Sequence, residues 1–547
     1  MKSKVNRRRM LGLTGRAAMA ATLTPRISFA ATSKGSPPAG AIVGEPTAAK
    51  IGAQILADGG NAVDAIVGAA LVAAVVSPHN CGIGGYGGHA TIALAGAKRI
   101  ASIDFNSTAP AAARADMFPL DANGAVSGKI NEHGWLAAGV PGVLAGLELA
   151  LQRFGTKSFR ELVRPAIELA RNGFPAGPRI ATATRGSSAL LRKDPASAKL
   201  LLKNGEPYAA VDRFSNPDLA QMLQTLADKN SVDDFYRGDI AQRIADAFKK
   251  NGGLVTAADL AAYRAREVEP LKIAWRGFEI CTAPLTAGGL TIFEAALILQ
   301  ALDWDAMTAG GEKTMARVEA LRAAWEDRLR RLGDPEKTEV PVESLLSKNH
   351  AGDLAEKIRA AIKNKTAVPR EARAKAQPGT VNLSCADTHG NMAALTLTHG
   401  NSFGAGITVE GLGLTLGHGM SRFEARPGHP NSVAPGKRPL HNMCPTIVLR
   451  DGKPLLAVGG AGGRKIPNSV FDVLINFTAA PALVEDAVAA PRMHTEGDLK
   501  IFLEKSWPES DRQFLPSAGY QIKTSPGAVV GAVLFDAKAR ECRSAWR

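Results

Sequence analysis

Gly379-Thr380-Val381-Asn382-Leu383-Ser384 sits between two segments of opposite character. Upstream, residues 371–378 (EARAKAQP) are charged, Ala-rich and end in Pro before Gly379, the composition of an exposed linker. Downstream, Val381 to Ala386 and Met392 to Thr398 are apolar or β-branched runs joined by Asp387-Thr388-His389-Gly390-Asn391. That pattern predicts a β-hairpin with its turn residues in place. Thr380 is then the first residue of a strand that starts where a flexible loop ends. Cutting the Gly379–Thr380 bond would leave a hydroxyl and a free α-amine on one residue, a nucleophile and a base together. Many loops end in Gly-Thr, so this spacing alone does not decide the matter.

Composition narrows the classes. The 547 residues are 45% apolar and 21% charged, as in an ordinary globular protein. The five cysteines, Cys81, Cys281, Cys385, Cys444 and Cys542, are far apart and form no CxxC, so neither a zinc ribbon nor a disulfide framework is expected. The ten histidines are scattered without an HExxH, and no metal site or cofactor is expected. The formal charge is +15. Seven Lys or Arg fall in residues 1–30, which leaves +8 (15 − 7) on the remainder. No element clusters that surplus, so no nucleic-acid partner is expected.

Residues 1–30 read as a targeting segment. Arg7-Arg8-Arg9 precede a weakly apolar run, Ala17 to Leu23, and Ser28-Phe29-Ala30 offers a small-x-small cleavage site. Modest hydrophobicity and the internal Arg16 favour the twin-arginine route, hence a periplasmic location. Ala65 to Val76 is the longest uncharged apolar run elsewhere; it is too short to span a bilayer and predicts a buried helix. It follows Pro46–Ala57 and the turn Asp58-Gly59-Gly60-Asn61. The Gly-rich stretch 82–88 comes after a helix and before a strand, the reverse of a phosphate loop, so its glycines are read as points of close backbone approach. Trp275 to Thr282 is predicted as one strand, and 312–363 as charged helix. Thr446–Leu449 and Leu455–Val458 are predicted as paired strands, with Gly459-Gly460-Ala461-Gly462-Gly463 immediately after.

Four stretches, in order, resemble the γ-glutamyltranspeptidase family of N-terminal-nucleophile hydrolases. They are GGNAVDAIVGAALVAAVVSPHNCGIGG (59–85), the Gly-Thr-x-x-x-Ser hairpin (379–384), KRPLHNMCPTIV (437–448) and GGAGG (459–463). VPGVLAG (140–146) and APRMH (490–494) fill the gaps, so the resemblance covers nearly the whole chain after residue 30. It implies an α+β fold, an αββα four-layer sandwich self-cleaved at Gly379–Thr380. The products would be a large subunit, 31–379, and a small subunit, 380–547, held together as one heterodimer. It implies Thr380 as nucleophile, Thr398 as the second threonine that orients it, and Gly462 and Gly463 as oxyanion-hole residues.

The recognition residues depart from the family pattern. The family's arginine after Asp-Phe is Asn106 here, and its Ser-Ser after Arg-Pro-Leu is His441-Asn442. Its asparagine two residues after the second threonine is Gly400, and its Gln and Asp for the substrate's α-amine fall at Gly419 and Arg422. Asn106, Arg422, His441 and Asn442 are therefore the candidate substrate-binding residues, with Arg422 or Arg464 available to grip a distal carboxylate. The expected function is a γ-glutamyltransferase/glutathione-hydrolase-type amidohydrolase with an altered acyl pocket, acting on a small-molecule amide. The alternatives are an acylase of the cephalosporin-acylase type or a hydrolase of a small dicarboxylic monoamide, and, in another class, a non-catalytic binding protein on the same fold.

Overall fold

Asp387 closes the hairpin that begins at Thr380. Its Oδ1 accepts from the backbone N–H groups of His389 (2.9 Å) and Asn391 (3.0 Å), and its Oδ2 from the Asn391 side chain (2.9 Å). This is an Asx-type turn, in which the carboxylate takes the place of a backbone carbonyl. The same Oδ2 accepts from Ala62 N at 3.1 Å, the first residue of a buried helix. One aspartate therefore fixes both the turn and the helix that covers the hairpin.

The computed structural model describes residues 39–370, 379–479 and 483–547. The targeting segment 1–30 and the linker 371–378 lie outside the described residues. Two six-stranded antiparallel sheets make the centre of the unit. Their strands, in chain order, are β1 (Gly40–Val43), β2 (Gly87–Leu94), β3 (Arg99–Asp104), β4 (Arg266–Val268), β5 (Leu271–Trp275), β6 (Phe278–Thr282), β7 (Val381–Asp387), β8 (Met392–Thr398), β9 (Thr446–Arg450), β10 (Lys453–Ala461), β11 (Val529–Asp536) and β12 (Glu541–Trp546). The first sheet runs β1-β7-β8-β2-β3-β4 and the second β12-β11-β10-β9-β6-β5. Each sheet takes strands from both sides of residue 379.

Between the sheets lies a thin layer of mostly small and branched side chains, including Ala93, Ala386, Ala394, Ala457, Ile447 and Val533. Outside the first sheet pack helices α1 (Pro46–Ala57), α2 (Ala62–Val76) and α3 (Val143–Phe154), backed by α4 (Phe159–Asn172) and α5 (Pro217–Lys229). Outside the second pack α6 (Gly289–Ala301) and α9 (Lys465–Ala479), backed by α7 (Gly311–Arg331) and α8 (Lys348–Lys363). The order of layers is αββα, as expected from the sequence.

All fifteen residues of α2 are buried, which explains a run apolar on every face. Asn61 and Asp64 close its N-terminus as a capping box. No helix among the described residues is long and apolar enough to cross a membrane.

Residues 312–363 form two long helices, α7 and α8, not one, and two strand boundaries also differ from the sequence reading. Trp275 to Thr282 is not one strand but the end of β5, a turn and β6. Arg276 and Gly277 form the turn with φ of 51° and 78°. Positive φ at both central residues is the two-residue hairpin geometry, which Asn-Gly announces and Arg-Gly does not. The second difference is that β10 continues through Gly459 and Gly460 to Ala461. A Cβ on Gly459 would lie 2.1 Å from Asn382 Oδ1 of β7. Glycine here lets the two sheets approach beside the start of β7.

Candidate active site

Thr380 is the residue before β7, and Thr398 is the last residue of β8. Leu397 pairs with Val381 in the antiparallel register, so the two threonines face one another at the sheet end. Their hydroxyl oxygens are 3.3 Å apart. The Thr398 hydroxyl donates to the Gly379 carbonyl at 2.5 Å and accepts from Gly400 N–H at 2.8 Å. The Thr380 hydroxyl also lies against the Gly379 carbonyl. The carbonyl of the Gly379–Thr380 bond thus has a donor on its oxygen and a hydroxyl beside it.

Backbone conformation at this point demands glycine. Gly379 has φ of 109°, and a Cβ there would lie 2.2 Å from the Gly400 carbonyl. Gly400, with φ of 96°, leaves room for the His418 ring, whose Nε2 would be 2.2 Å from an added Cβ. His418 Nε2 accepts from Asn401 N–H at 2.5 Å, which leaves the proton on Nδ1, facing Ser421 Oγ. Burial and the nearby Arg422 hold this imidazole well below its ordinary pKa, hence neutral.

The glycine tract works as read from the sequence. Added Cβ atoms at Gly85 and Gly88 would lie 2.8 Å from the Thr398 carbonyl and 2.1 Å from the Thr396 carbonyl. These glycines let the chain pass against β8 just behind the threonine pair.

A small cleft opens here, lined by Tyr86, Gly379, Thr380, Thr398, Gly400, Arg422, Asn442, Met443, Gly463 and Ile466. Gly462 (φ 144°) and Gly463 (φ 63°) follow β10 and precede α9. The positive end of the α9 dipole therefore faces the cleft, beside two backbone N–H groups at glycines.

Of the four candidate recognition residues, the structure brings two to the cleft. Arg422 and Asn442 line it. Arg422 Nε is buried without a hydrogen-bond partner among the described residues. Asn106 and His441 do not reach the cleft. Asn106 is fully buried, its amide N–H groups donating to Thr286 Oγ1 (2.8 Å) and the Pro439 carbonyl (2.6 Å). His441 is fully buried too: its Nδ1 accepts from Met443 N–H at 3.2 Å and its Nε2 meets His89 Nδ1 at 2.8 Å. Both hold the wall of the cleft instead of facing its contents. Arg464 is engaged by Glu496 at 2.7 Å.

Sequence reasoning missed Arg328, which lies on a charged helix that reads as solvated. It is 3% exposed, and its guanidinium donates to the carbonyls of His441 (2.5 Å) and Ala287 (3.3 Å). It also approaches Asn442 Oδ1 at 3.4 Å. Among the described residues no carboxylate lies within ion-pair distance of Arg328 or Arg422. Burial draws Arg328 down to about 10, so it stays cationic at neutral pH. Two guanidinium groups with no carboxylate in direct contact, and with Glu496 and Glu132 farther from Arg422, make this end of the sheets cationic.

Residues 48–544 match the family model described as Gamma-glutamyltranspeptidase. The chain is 36% identical to the glutathione hydrolase proenzyme of Escherichia coli K12 over 500 residues, 87% of this chain and 84% of that protein. It is 33% identical to the acylase ACY 1 proenzyme of Pseudomonas sp. SE83 over 506 residues, 90% of this chain and 89% of that protein. Among solved structures, the cephalosporin acylase of Bacillus halodurans superimposes with a TM-score of 0.83 at 23% identity, over 96% of this chain and 98% of that one, which supports the shared fold.

Proposed function

The chain belongs to the γ-glutamyltranspeptidase family, and on that premise we propose that it is a self-processed amidohydrolase acting through Thr380, with a pocket for an anionic acyl group. The observation that carries the reading is the set of contacts between Thr380, Thr398 and the Gly379 carbonyl.

In the first reaction, Thr380 Oγ attacks the Gly379 carbonyl carbon. The Thr398 hydroxyl stabilises the oxygen as it becomes negative. The C–N bond breaks, the hydroxyl proton ends on the Thr380 nitrogen, and Gly379 is held as an ester on Oγ. Water then splits the ester, giving a Gly379 carboxylate and a free Thr380 α-amine. The products are residues up to 379 and residues 380–547.

In the second reaction that amine, with a reference pKa near 7.7–8.0, is the base for its own hydroxyl. Thr380 Oγ attacks the substrate amide, and the oxyanion meets the N–H groups of Gly462 and Gly463. One such donor is worth about 3 kcal/mol in the transition state. The proton passes to the leaving amine, and water releases the acid from the acyl-enzyme.

A γ-glutamyl group brings an α-carboxylate and an α-ammonium. The cleft offers the cation Arg422, with Arg328 behind its wall, and, among its lining residues, no carboxylate for the ammonium. Unpaired buried charge costs several kcal/mol, so an acyl group that is anionic and lacks the amine fits better. We place the working enzyme outside the cytoplasm, on the strength of the arginine-led N-terminal segment. The test of the core reading is a denaturing gel and N-terminal sequencing. A smaller band that begins Thr-Val-Asn-Leu-Ser supports it, and a wild-type protein that stays one chain overturns it.

A further inference from the structure

Away from the cleft, three helices of the outer layer converge on one point. Glu294 of α6, Asp327 of α7 and His350 of α8 each offer a ligand atom there, all within 4.8 Å of one another. His350 Nε2 lies 3.1 Å from Glu294 Oε1 and 3.2 Å from Asp327 Oδ2. Ligands bound tetrahedrally at about 2.0–2.2 Å stand about 3.3–3.6 Å apart, so a spreading of a few tenths of an ångström would admit an ion.

Glu294 supplies a second, independent observation. Its side chain is 1% exposed, and its Oε2 is buried without a hydrogen-bond partner among the described residues. A buried carboxylate oxygen with no donor is costly, and either a proton shared with Asp327 or a cation would satisfy it. The surroundings suit one. Arg331 Nη1 donates to Asp327 Oδ1 at 3.2 Å, which orients that carboxylate from outside the cluster. Ser347 caps α8 by accepting from His350 N–H at 3.1 Å, which fixes the backbone that carries the imidazole. The His350 and Asp327 side chains are 19% and 16% exposed, which leaves an entry from solvent.

We propose that Glu294, Asp327 and His350 form a binding site for one divalent transition-metal ion, with water completing its coordination. Two carboxylates and a neutral imidazole balance a double positive charge, and the mixed N/O donor set suits Zn(II). The ion would pin α6, α7 and α8 together. Its ligand Asp327 immediately precedes Arg328, the residue that reaches the wall of the cleft. The competing occupant is a proton shared by the same atoms: burial raises Glu294 to about 8, and hydrogen bonds to both carboxylates raise His350 to about 9. This proposal does not depend on the reading of the cleft.

The test uses untagged, processed full-length protein freed of metal with EDTA and titrated with Zn(II) at pH 7.5 by calorimetry. Metal content is then measured after desalting. The expected result is one Zn(II) per heterodimer, a higher Tm on adding Zn(II), and binding weakened at least about tenfold in both Glu294→Gln and His350→Ala. Two substitutions on different helices keep the test decisive if one variant fails to fold. Failure of the wild type to bind Zn(II), or equal binding by wild type and variants through surface histidines, overturns the proposal.

Discussion

The Thr398 hydroxyl donates to the Gly379 carbonyl oxygen at 2.5 Å while accepting from Gly400 N–H at 2.8 Å. The incoming N–H commits the Thr398 proton to the carbonyl. Thr398→Val keeps the shape and loses that donor. Chain cleavage should slow by about 10²–10³-fold, the usual effect of removing one oxyanion donor. Thr398→Ser should cleave close to the wild-type rate. A time course of single-chain precursor on a denaturing gel reads both, and unchanged cleavage in Thr398→Val would remove this role.

Thr380→Ala should remain one chain, uncut between residues 379 and 380. Gly379→Ala should also be impaired, for a different reason. It places a Cβ 2.2 Å from the Gly400 carbonyl at a φ of 109°, where L residues are strained. The shift would move the scissile carbonyl away from Thr398. Gly379→Ala should therefore process slowly while keeping a Tm near that of Thr380→Ala, and rapid processing would count against the geometry.

Substrate preference follows from the unpaired guanidinium groups. kcat/KM for glutaryl-p-nitroanilide should exceed that for γ-glutamyl-p-nitroanilide. Arg422→Asp should lower the glutaryl value by at least about tenfold, consistent with loss of a charged hydrogen bond worth about 1.5–3 kcal/mol. A wild-type preference for the γ-glutamyl compound refutes this pocket assignment.

Stability should fall on mild acidification. Burial lowers His79 and His89 to about 4 and His399 to about 3, and holds His418 and His441 well below the usual range. Unfolded, each would bind a proton near pH 6.5; folded, it does not. Stability from these groups is full above pH 6.5 and is lost as pH falls toward 4, by up to about 1.4 kcal/mol per pH unit for each. His350 has the opposite sign: raised to about 9, its contribution is lost as pH rises from 6.5 through 9. The two windows do not overlap, so Tm should drop steeply between pH 6.5 and 4.5. A flat profile there would contradict their neutral burial.

Replacing Arg7, Arg8 and Arg9 by Lys should leave the precursor in the cytoplasm, because the twin-arginine address is read through guanidinium groups. Unchanged periplasmic recovery in cell fractionation would rule this route out.

Much of the site was legible because its parts are local in sequence. The hairpin from Thr380 to Thr398 carries nucleophile, partner and turn within 19 residues, with Asp387 and Asn391 in the positions a turn requires. The helix Ala62–Val76 announced its burial by being apolar on every face. What stayed hidden depends on contacts between distant segments. Asn106 and His441 fall at recognition positions in sequence, yet their side chains turn into the wall, toward Pro439 and His89. Arg328 is one charge among many on α7, and only the fold shows that it points at residue 442. The Glu294, Asp327 and His350 cluster draws one residue from each of three helices, with no spacing that a motif could capture.

Because both sheets take strands from before and after residue 379, neither segment owns a complete sheet. On the proposed mechanism, the catalytic amine is released only by a chain that holds the Gly379 carbonyl against Thr398 at the end of the assembled first sheet. Activity in this molecule is a certificate of correct folding: every active copy has first passed, with its own hydroxyl, the only inspection that can release it.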